Sequence, residues 1–483
     1  MVLFHFQRMP DLRPDFARRT MKRRWHFNTF FLWSLTVSIA LSATPCAGQI
    51  DPDASEKTKV LYANLKLIQN GSHFLFGQEF FNSFQYSSGS AHGNNTFSDC
   101  KEVTGAHPAV LGSDFHYYLE KDATERGYHT EAVKWAYQQG FAITFDWHLS
   151  GKGTTTYEFK DATKDLVDSI VAYPNGPDRA WLYAELDKVI DIINNSLVVG
   201  NDRVPIVFRP WHEMNGNWFW WGSAATTPAN YKALYALTVE YIKDRATSVL
   251  FCWSPNSPFN LDYYPGDEWV DVLGDDYYEI SATALRQELG TLVDYAQAHD
   301  KVAVFSETGN RTTNADDAAK YWENTILPAI VNDPSGRSIK IAWVLTWINA
   351  NWSFPYVSHA GSSSAAKQSF KNFKNSPYVL FGDATQNMYS PWVILSVPLE
   401  SGTGPEALQL FPIPADNVLT IRLNGFSQPS SVMMYDITGR LVYQVTMDAG
   451  EIDLNIKEIL KPGLYLVKAN DYSKTISKKL VVR

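Results

Sequence analysis

Two short segments hold the residues best suited to chemistry. One is Arg209-Pro210-Trp211-His212-Glu213-Met214-Asn215-Gly216, which runs on through Asn217 and Trp218-Phe219-Trp220-Trp221-Gly222. The other is Val304-Phe305-Ser306-Glu307-Thr308-Gly309. Each brings a glutamate to the end of an apolar run, and histidine and tryptophan crowd the first. Two carboxylates on separate strand ends can divide acid–base work between them. One is kept protonated to donate to a leaving oxygen, and the other stays ionised to attack carbon. Retaining glycoside hydrolysis needs that division, with the two groups roughly 5–5.5 Å apart. The Trp211 and Trp218 side chains should desolvate Glu213 and raise its pKa, as a general acid requires. An ionised Glu307 needs donors nearby, and Arg209 and Tyr277, at other strand ends, are the candidates. The ordinary alternatives are an ion pair of Glu213 with Arg209, two pleats back, and a plain salt bridge at Glu307.

Positioning these groups takes a scaffold. From about residue 60 to 380 short apolar runs alternate with amphipathic helices, the pattern of a parallel sheet. The strand candidates are Phe74–Glu79, Ala109–Asp114, Phe141–His148, Pro205–Glu213, Ser248–Ser254, Val270–Tyr277, Val302–Glu307 and Ile339–Trp347. Thr227-Pro228 opens a helix whose Tyr231, Leu234, Tyr235, Tyr241 and Ile242 share a face. Leu182, Leu186, Val189, Ile190 and Ile193 form another such stripe. Eight repeats of strand and helix read as a (β/α)8 TIM barrel, whose active site sits at the C-terminal ends of the strands. Polar or aromatic residues end nearly all of them: Glu79, Asp114, His148, Glu213, Asp275 with Tyr277, Glu307 and Trp347. An open doubly wound sheet is the alternative, but no Gly-rich phosphate turn follows any strand.

The 483 residues exceed one ordinary domain, and the 45% apolar content can fill a large core. Sixteen tryptophans are many; most should be core, but flat aromatic faces also line sugar clefts. Lys22-Arg23-Arg24, an apolar run from Phe27 to about Leu41 and small residues through Gly48 mark residues 1–48 as a signal peptide region. Met21 is read as the true start and Gln49 as the first mature residue. Pro45 before Cys46 argues against a lipid anchor. Residues 1–48 carry seven Lys or Arg and two Asp, a net +5, so the mature chain is at −9 − 5 = −14. That acidity, without basic runs, argues against nucleic acid and anionic membranes and suits a secreted or cell-surface enzyme on a neutral polymer. Cys100 and Cys252 remain after cleavage; Cys252 should be a buried thiol. No metal spacing is present, and no cofactor is expected.

Residues 49–389 form the expected barrel domain. The stretch 390–407, with Pro391, Pro398, Gly402, Gly404 and Pro405, reads as a linker. Beyond it alternation takes over: Leu419, Ile421, Leu423; Val432, Met434; Leu464, Leu466. Turn signals stand at Thr438-Gly439 and Pro462-Gly463. Residues 408–483 are thus a small antiparallel β-sandwich.

The Arg209–Gly216 segment with Trp218 resembles the acid/base motif of glycoside hydrolase family 26, mostly β-mannanases, and Ser306-Glu307-Thr308-Gly309 resembles its nucleophile motif. The resemblance spans about Lys57 to Asp383. It implies Glu213 as acid/base and Glu307 as nucleophile. By the same resemblance His148 and His212 contact sugar in the reacting subsite and its neighbour, Tyr277 hydrogen-bonds the nucleophile, and Trp218 and Trp347 wall the scissile bond. Ile348 stands where these mannanases often have Arg, which removes a distal sugar contact. The Trp218–Trp221 loop offers an extra stacking platform, and Phe80–Asn95 a cleft edge. The C-terminal module resembles a type IX secretion sorting domain of Bacteroidetes. Phe411-Pro412-Ile413-Pro414-Ala415, Tyr435-Asp436-Ile437-Thr438-Gly439-Arg440, Pro462-Gly463-Leu464-Tyr465 and Lys479–Arg483 carry that match, with Ile413 in place of the usual Asn. The expectation is a secreted, monomeric retaining hydrolase of neutral β-mannan, exported by the type IX machinery. The competing readings are the same scaffold acting on β-1,3-xylan or mixed-linkage β-glucan, and a polysaccharide-binding protein without catalysis.

Overall fold

A computed structural model describes residues 48–278, 281–331, 339–391 and, with short gaps, 408–482. The signal peptide region except Gly48, and all of the linker except Ser390 and Pro391, lie outside the described residues, as do Pro414, Ile437 to Arg440, Pro462 and Arg483 of the sorting motif.

Eight parallel strands build the larger sheet: β1 (Phe74–Glu79), β2 (Val110–Asp114), β3 (Ala142–Asp146), β4 (Ile206–Arg209), β5 (Val249–Trp253), β6 (Val272–Leu273), β7 and β8 (Trp343–Thr346). Strand β7 comes in two pieces, Val302–Ala303 and Phe305–Thr308. Pairing runs in sequence order from β1 to β8, and β8 returns to β1 through Leu75 opposite Trp343, so the sheet curls into a barrel. A short strand, Val379–Leu380, adds to the start of β1. Every residue of β1 to β8 is buried, as expected of a parallel sheet with helices outside and side chains filling its interior.

The helices follow their sequence signals. Thr227 caps Pro228–Lys243, its hydroxyl accepting from the Asn230 N–H, and Tyr231, Leu234, Tyr235 and Ile242 are buried. Tyr241 departs from that stripe: it stacks on Tyr183 outside the core and donates to Asp187. The Leu182 to Ile193 stripe is buried throughout.

Strand β4 is shorter than its apolar run suggests. The ladder ends at Arg209 because Pro210 has no N–H to continue it. Residues 210–215 form a turn in which Trp211 (φ 56°) and Glu213 (φ 54°) are left-handed. Strand β6 is also short, with Asp276 making only isolated bridges to Asn256 and Glu307.

In the C-terminal module two antiparallel sheets are present. One joins Leu408–Phe411, Val418–Leu423 and Glu451–Asn455; the other orders Leu441–Met447, Ser430–Asp436, Gly463–Asn470 and Thr475–Val482 side by side. Leu408, Leu419, Ile421, Val432, Met434 and Val467 are among its buried core residues. The alternation read from Leu419 and Val432 onward is the period of strands with one buried face. Cys100 and Cys252 are free and buried.

Candidate active site

The register of the barrel sets three charged groups at one level: Asp114 on β2 pairs with Asp146 on β3, which pairs with Arg209 on β4. Arg209 is buried and acts as a hub. Its Nη1 donates to Ser254 Oγ (2.9 Å) and Asp276 Oδ2 (3.0 Å), its Nη2 donates to Glu307 Oε1, and Asp146 Oδ2 lies 3.6 Å away. The guanidinium fork suits this work because its donors diverge in one plane. Its ion pairs among the described residues are with Asp146, Asp276 and Glu307; the pair with Glu213 considered from sequence is not formed.

Glu307 lies on β7, both oxygens engaged. Arg209 takes Oε1, and the Tyr278 hydroxyl donates to Oε2 at 2.7 Å. Here the structure corrects the sequence reading. Tyr277 was expected to reach the carboxylate, but only its backbone N–H approaches, donating to the Glu307 carbonyl at 2.9 Å. The side-chain bond belongs to Tyr278, because the isolated bridge at Asp276 ends regular pairing and the next residues lose the alternation of a strand.

Glu213 projects from the left-handed turn after β4. Left-handed backbone at an L-residue costs roughly 1–2 kcal/mol, so the turn must be held by other contacts. Glu213 N–H donates to the Ser254 carbonyl (2.9 Å), Gly216 N–H to the Glu213 carbonyl (2.9 Å), Trp221 Nε1 to the His212 carbonyl (2.8 Å) and Tyr231 OH to the Trp211 carbonyl (3.0 Å). Trp218 Nε1 donates to Glu213 Oε2 at 2.8 Å. The Trp218 ring lies over Gly216, where a Cβ would come within 2.4 Å of it. Burial, then the negative charges of Glu307 and Asp276, push the Glu213 carboxyl well above the usual range, and the Trp218 N–H and the Arg209 charge pull the other way. One oxygen of each of Glu213, Asp276 and Glu307 lies within 4.8 Å of the others.

Two histidines flank the pair. His148 Nδ1 donates to Asp114 Oδ2 (2.9 Å), and its backbone N–H to Asp114 Oδ1 (3.1 Å). Burial would raise Asp114, but the charge and hydrogen bond of His148 outweigh it and hold the carboxylate low. The His212 ring meets His148 edge-on at 4.7 Å. Burial, with the adjacent His148, lowers His212 well below its ordinary value, so it is neutral and offers a free Nδ1. Trp347 is half-buried, 5.8 Å from the His148 ring. Of the Trp-rich loop, only Trp218 is exposed, at 38%. Trp220 and Trp221 are core residues whose Nε1 atoms reach the carbonyls of Leu149 and His212, so the loop is no extended platform.

Sequence reasoning assigned no role to Asp114, Asp276, Ser254 or Tyr278, nor to two carboxyls at the barrel top, Glu79 and Asp146. Both are fully buried without a hydrogen-bond partner, and burial raises both well above the usual range. Asp114 and Glu79 were visible as polar strand ends, but their partners come from other strands.

Comparison with known proteins fits this geometry. Residues 409–483 match the family model for a secretion system C-terminal sorting domain, so the protein is secreted or displayed at the cell surface. The chain is 28% identical over 333 residues to a mannan endo-1,4-beta-mannosidase of Bifidobacterium adolescentis, covering 62% of this chain but 32% of that protein. It is 26% identical over 329 residues to the enzyme of the same name from Bacillus subtilis, covering 63% of this chain and 82% of the other. It thus spans about a third of the first relative's length and most of the second's. A GH26 beta-mannanase structure from Bacteroides ovatus superposes with a TM-score of 0.61 at 26% identity, over 73% of this chain and 100% of that one. Residues 50–333, more than half of the chain, match the model of a single enzyme family, and they include Glu213, Glu307 and Arg209: the protein belongs to glycosyl hydrolase family 26.

Proposed function

We propose that the barrel is a retaining hydrolase of β-1,4-mannosidic bonds in mannan, glucomannan or galactomannan. The observation that carries this reading is the close, unequal pair: an oxygen of Glu213 lies within 4.8 Å of one of Glu307, the first carboxyl desolvated and raised, the second held by Arg209 and Tyr278. In the first step Glu307 attacks the anomeric carbon while Glu213 gives its proton to the leaving oxygen. The bond from sugar to leaving group breaks and a glycosyl ester to Glu307 forms. Arg209 and Tyr278 accompany the loss of charge on that carboxylate. Glu213, now ionised, takes a proton from water, and the hydroxide equivalent displaces Glu307 with a second inversion.

The remaining groups position the sugar. His148, fixed by Asp114, and neutral His212 offer hydrogen bonds to hydroxyls, while Trp347 and Trp218 present apolar surface to the ring faces. The mannan specificity is supported by the activity named for the relatives. The sorting domain would engage the secretion machinery as its partner.

The test is product analysis on galactomannan, glucomannan, β-1,3-xylan and mixed-linkage β-glucan, with the anomer read by NMR in the first minutes. Manno-oligosaccharides of the β anomer are expected. Early α anomer would sink the retaining mechanism, and products only from xylan or glucan would replace the substrate. Glu213→Ala and Glu307→Ala should each lose more than about 10³-fold in kcat on polymer with nearly unchanged melting. Azide should rescue Glu213→Ala to a β-glycosyl azide.

A further inference from the structure

We propose that Trp352 forms an outer sugar subsite of the same cleft, stacking on a pyranose distant from the scissile bond. The inference rests on the glycan-hydrolase reading above. Trp352 is 56% exposed, more than Trp218, the other exposed tryptophan among the described residues. It lies on the loop that leaves the C-terminal end of β8, on the rim that carries the catalytic pair, five residues after Trp347. Five residues span at most roughly 17 Å, so the two indoles are within reach of one short run of sugars.

Two contacts hold this exposed indole in place. Its Nε1 donates to the Gly89 carbonyl at 2.6 Å, and its ring meets Phe84 edge-on at 6.0 Å. Next to it, Asn351 Nδ2 donates to the Ser88 carbonyl at 3.2 Å. Gly89 is left-handed (φ 64°), and a Cβ there would fall 1.8 Å from Asn351 Oδ1, so a larger residue would displace the Asn351 amide that joins the two loops. Phe84 belongs to a small apolar cluster with Phe80, Ile348 and Ala350, against which Trp347 also packs. The cluster therefore ties the outer indole to the inner one. The single polar atom of Trp352 is spent inside the protein. What it presents outward is an aromatic face, complementary to the C–H face of a neutral sugar.

Ile348 is itself buried in that cluster, so the support beneath the two indoles is apolar. The recognition is then by shape and apolar contact, and it tolerates sugars that differ only in hydroxyl orientation.

The experiment compares wild type, Trp352→Ala and Trp352→Phe on a graded series of oligosaccharides of whichever polymer the wild type cleaves. For Trp352→Ala, KM on the longest members should rise about fivefold to tenfold, kcat should stay within about twofold, and the shortest substrates should be cleaved as by wild type. Trp352→Phe should recover most of the loss. Equal losses on short and long substrates, or no loss on long ones, would overturn the subsite while leaving the hydrolase reading intact. A wild type that cleaves no glycan would remove the functional reading, and this inference with it.

Discussion

Replacing Trp218 with Phe isolates one contact to the acid. The change keeps an aromatic ring over Gly216 but deletes the Nε1 donor that reaches Glu213 Oε2 at 2.8 Å. That donor favours the ionised carboxylate, so its loss must raise the pKa further. A hydrogen bond to a charged group contributes about 1.5–3 kcal/mol. Trp218 is 38% exposed, so water competes and the lower figure applies. About 1.5 kcal/mol corresponds to about one pKa unit. The general acid must be protonated to work, so the basic limb of kcat/KM reports its ionisation in the free enzyme. In Trp218→Phe that limb should move up by about one pH unit. The assay is the pH profile of kcat/KM on a soluble oligosaccharide. Any change in sugar stacking alters the height of the profile but not the position of its limb. A limb that stays put, or moves down, would show that the Trp218 donor does not set the protonation of Glu213.

Tyr278→Phe should lower kcat by about tenfold or more, the equivalent of one hydrogen bond to a charged group, whereas Tyr277→Phe should stay within about twofold; the reverse order would restore the assignment read from sequence. Glu79 tests the buried acids through stability. Its carboxyl is raised by burial, so the folded state keeps a proton that the unfolded chain has released above about 4.5, and stability falls as pH climbs through that window. Glu79→Gln cannot titrate. It should melt higher than wild type at pH 7, by on the order of 1–2 kcal/mol, and gain little at pH 4; an equal gain at both would refute the raised pKa.

That Glu213 and Glu307 stand out was legible because their signal is local: a glutamate after an apolar run, with tryptophan and histidine beside one and glycine after the other. The barrel was legible for the same reason, since strands that open on unbroken apolar runs such as Ile206-Val207-Phe208 and Val249-Leu250-Phe251 do not alternate as a half-exposed sheet would. The errors sit where chain-distant contacts decide. Nothing in Asp275-Asp276-Tyr277-Tyr278 says that ladder pairing stops after Leu273, and that break moves the hydrogen bond by one residue. The burial of Trp220 and Trp221 depends on carbonyls of Leu149 and His212, which no spacing reveals. Asp114 gains its role only when β2 and β3 lie in register and bring His148 above it.

The left-handed backbone at Glu213 has an evolutionary consequence. A glycine there would adopt the same turn freely, and it would also remove a desolvated acid. Glu213→Gly should therefore cut nothing yet melt at or above the wild-type temperature; a markedly lower melting point would contradict this. Stability and turnover thus select for different residues at one position. A duplicated copy freed from the need to cleave could shed its proton donor without penalty while Arg209 keeps the cleft in shape, a one-step descent from hydrolase to glycan receptor.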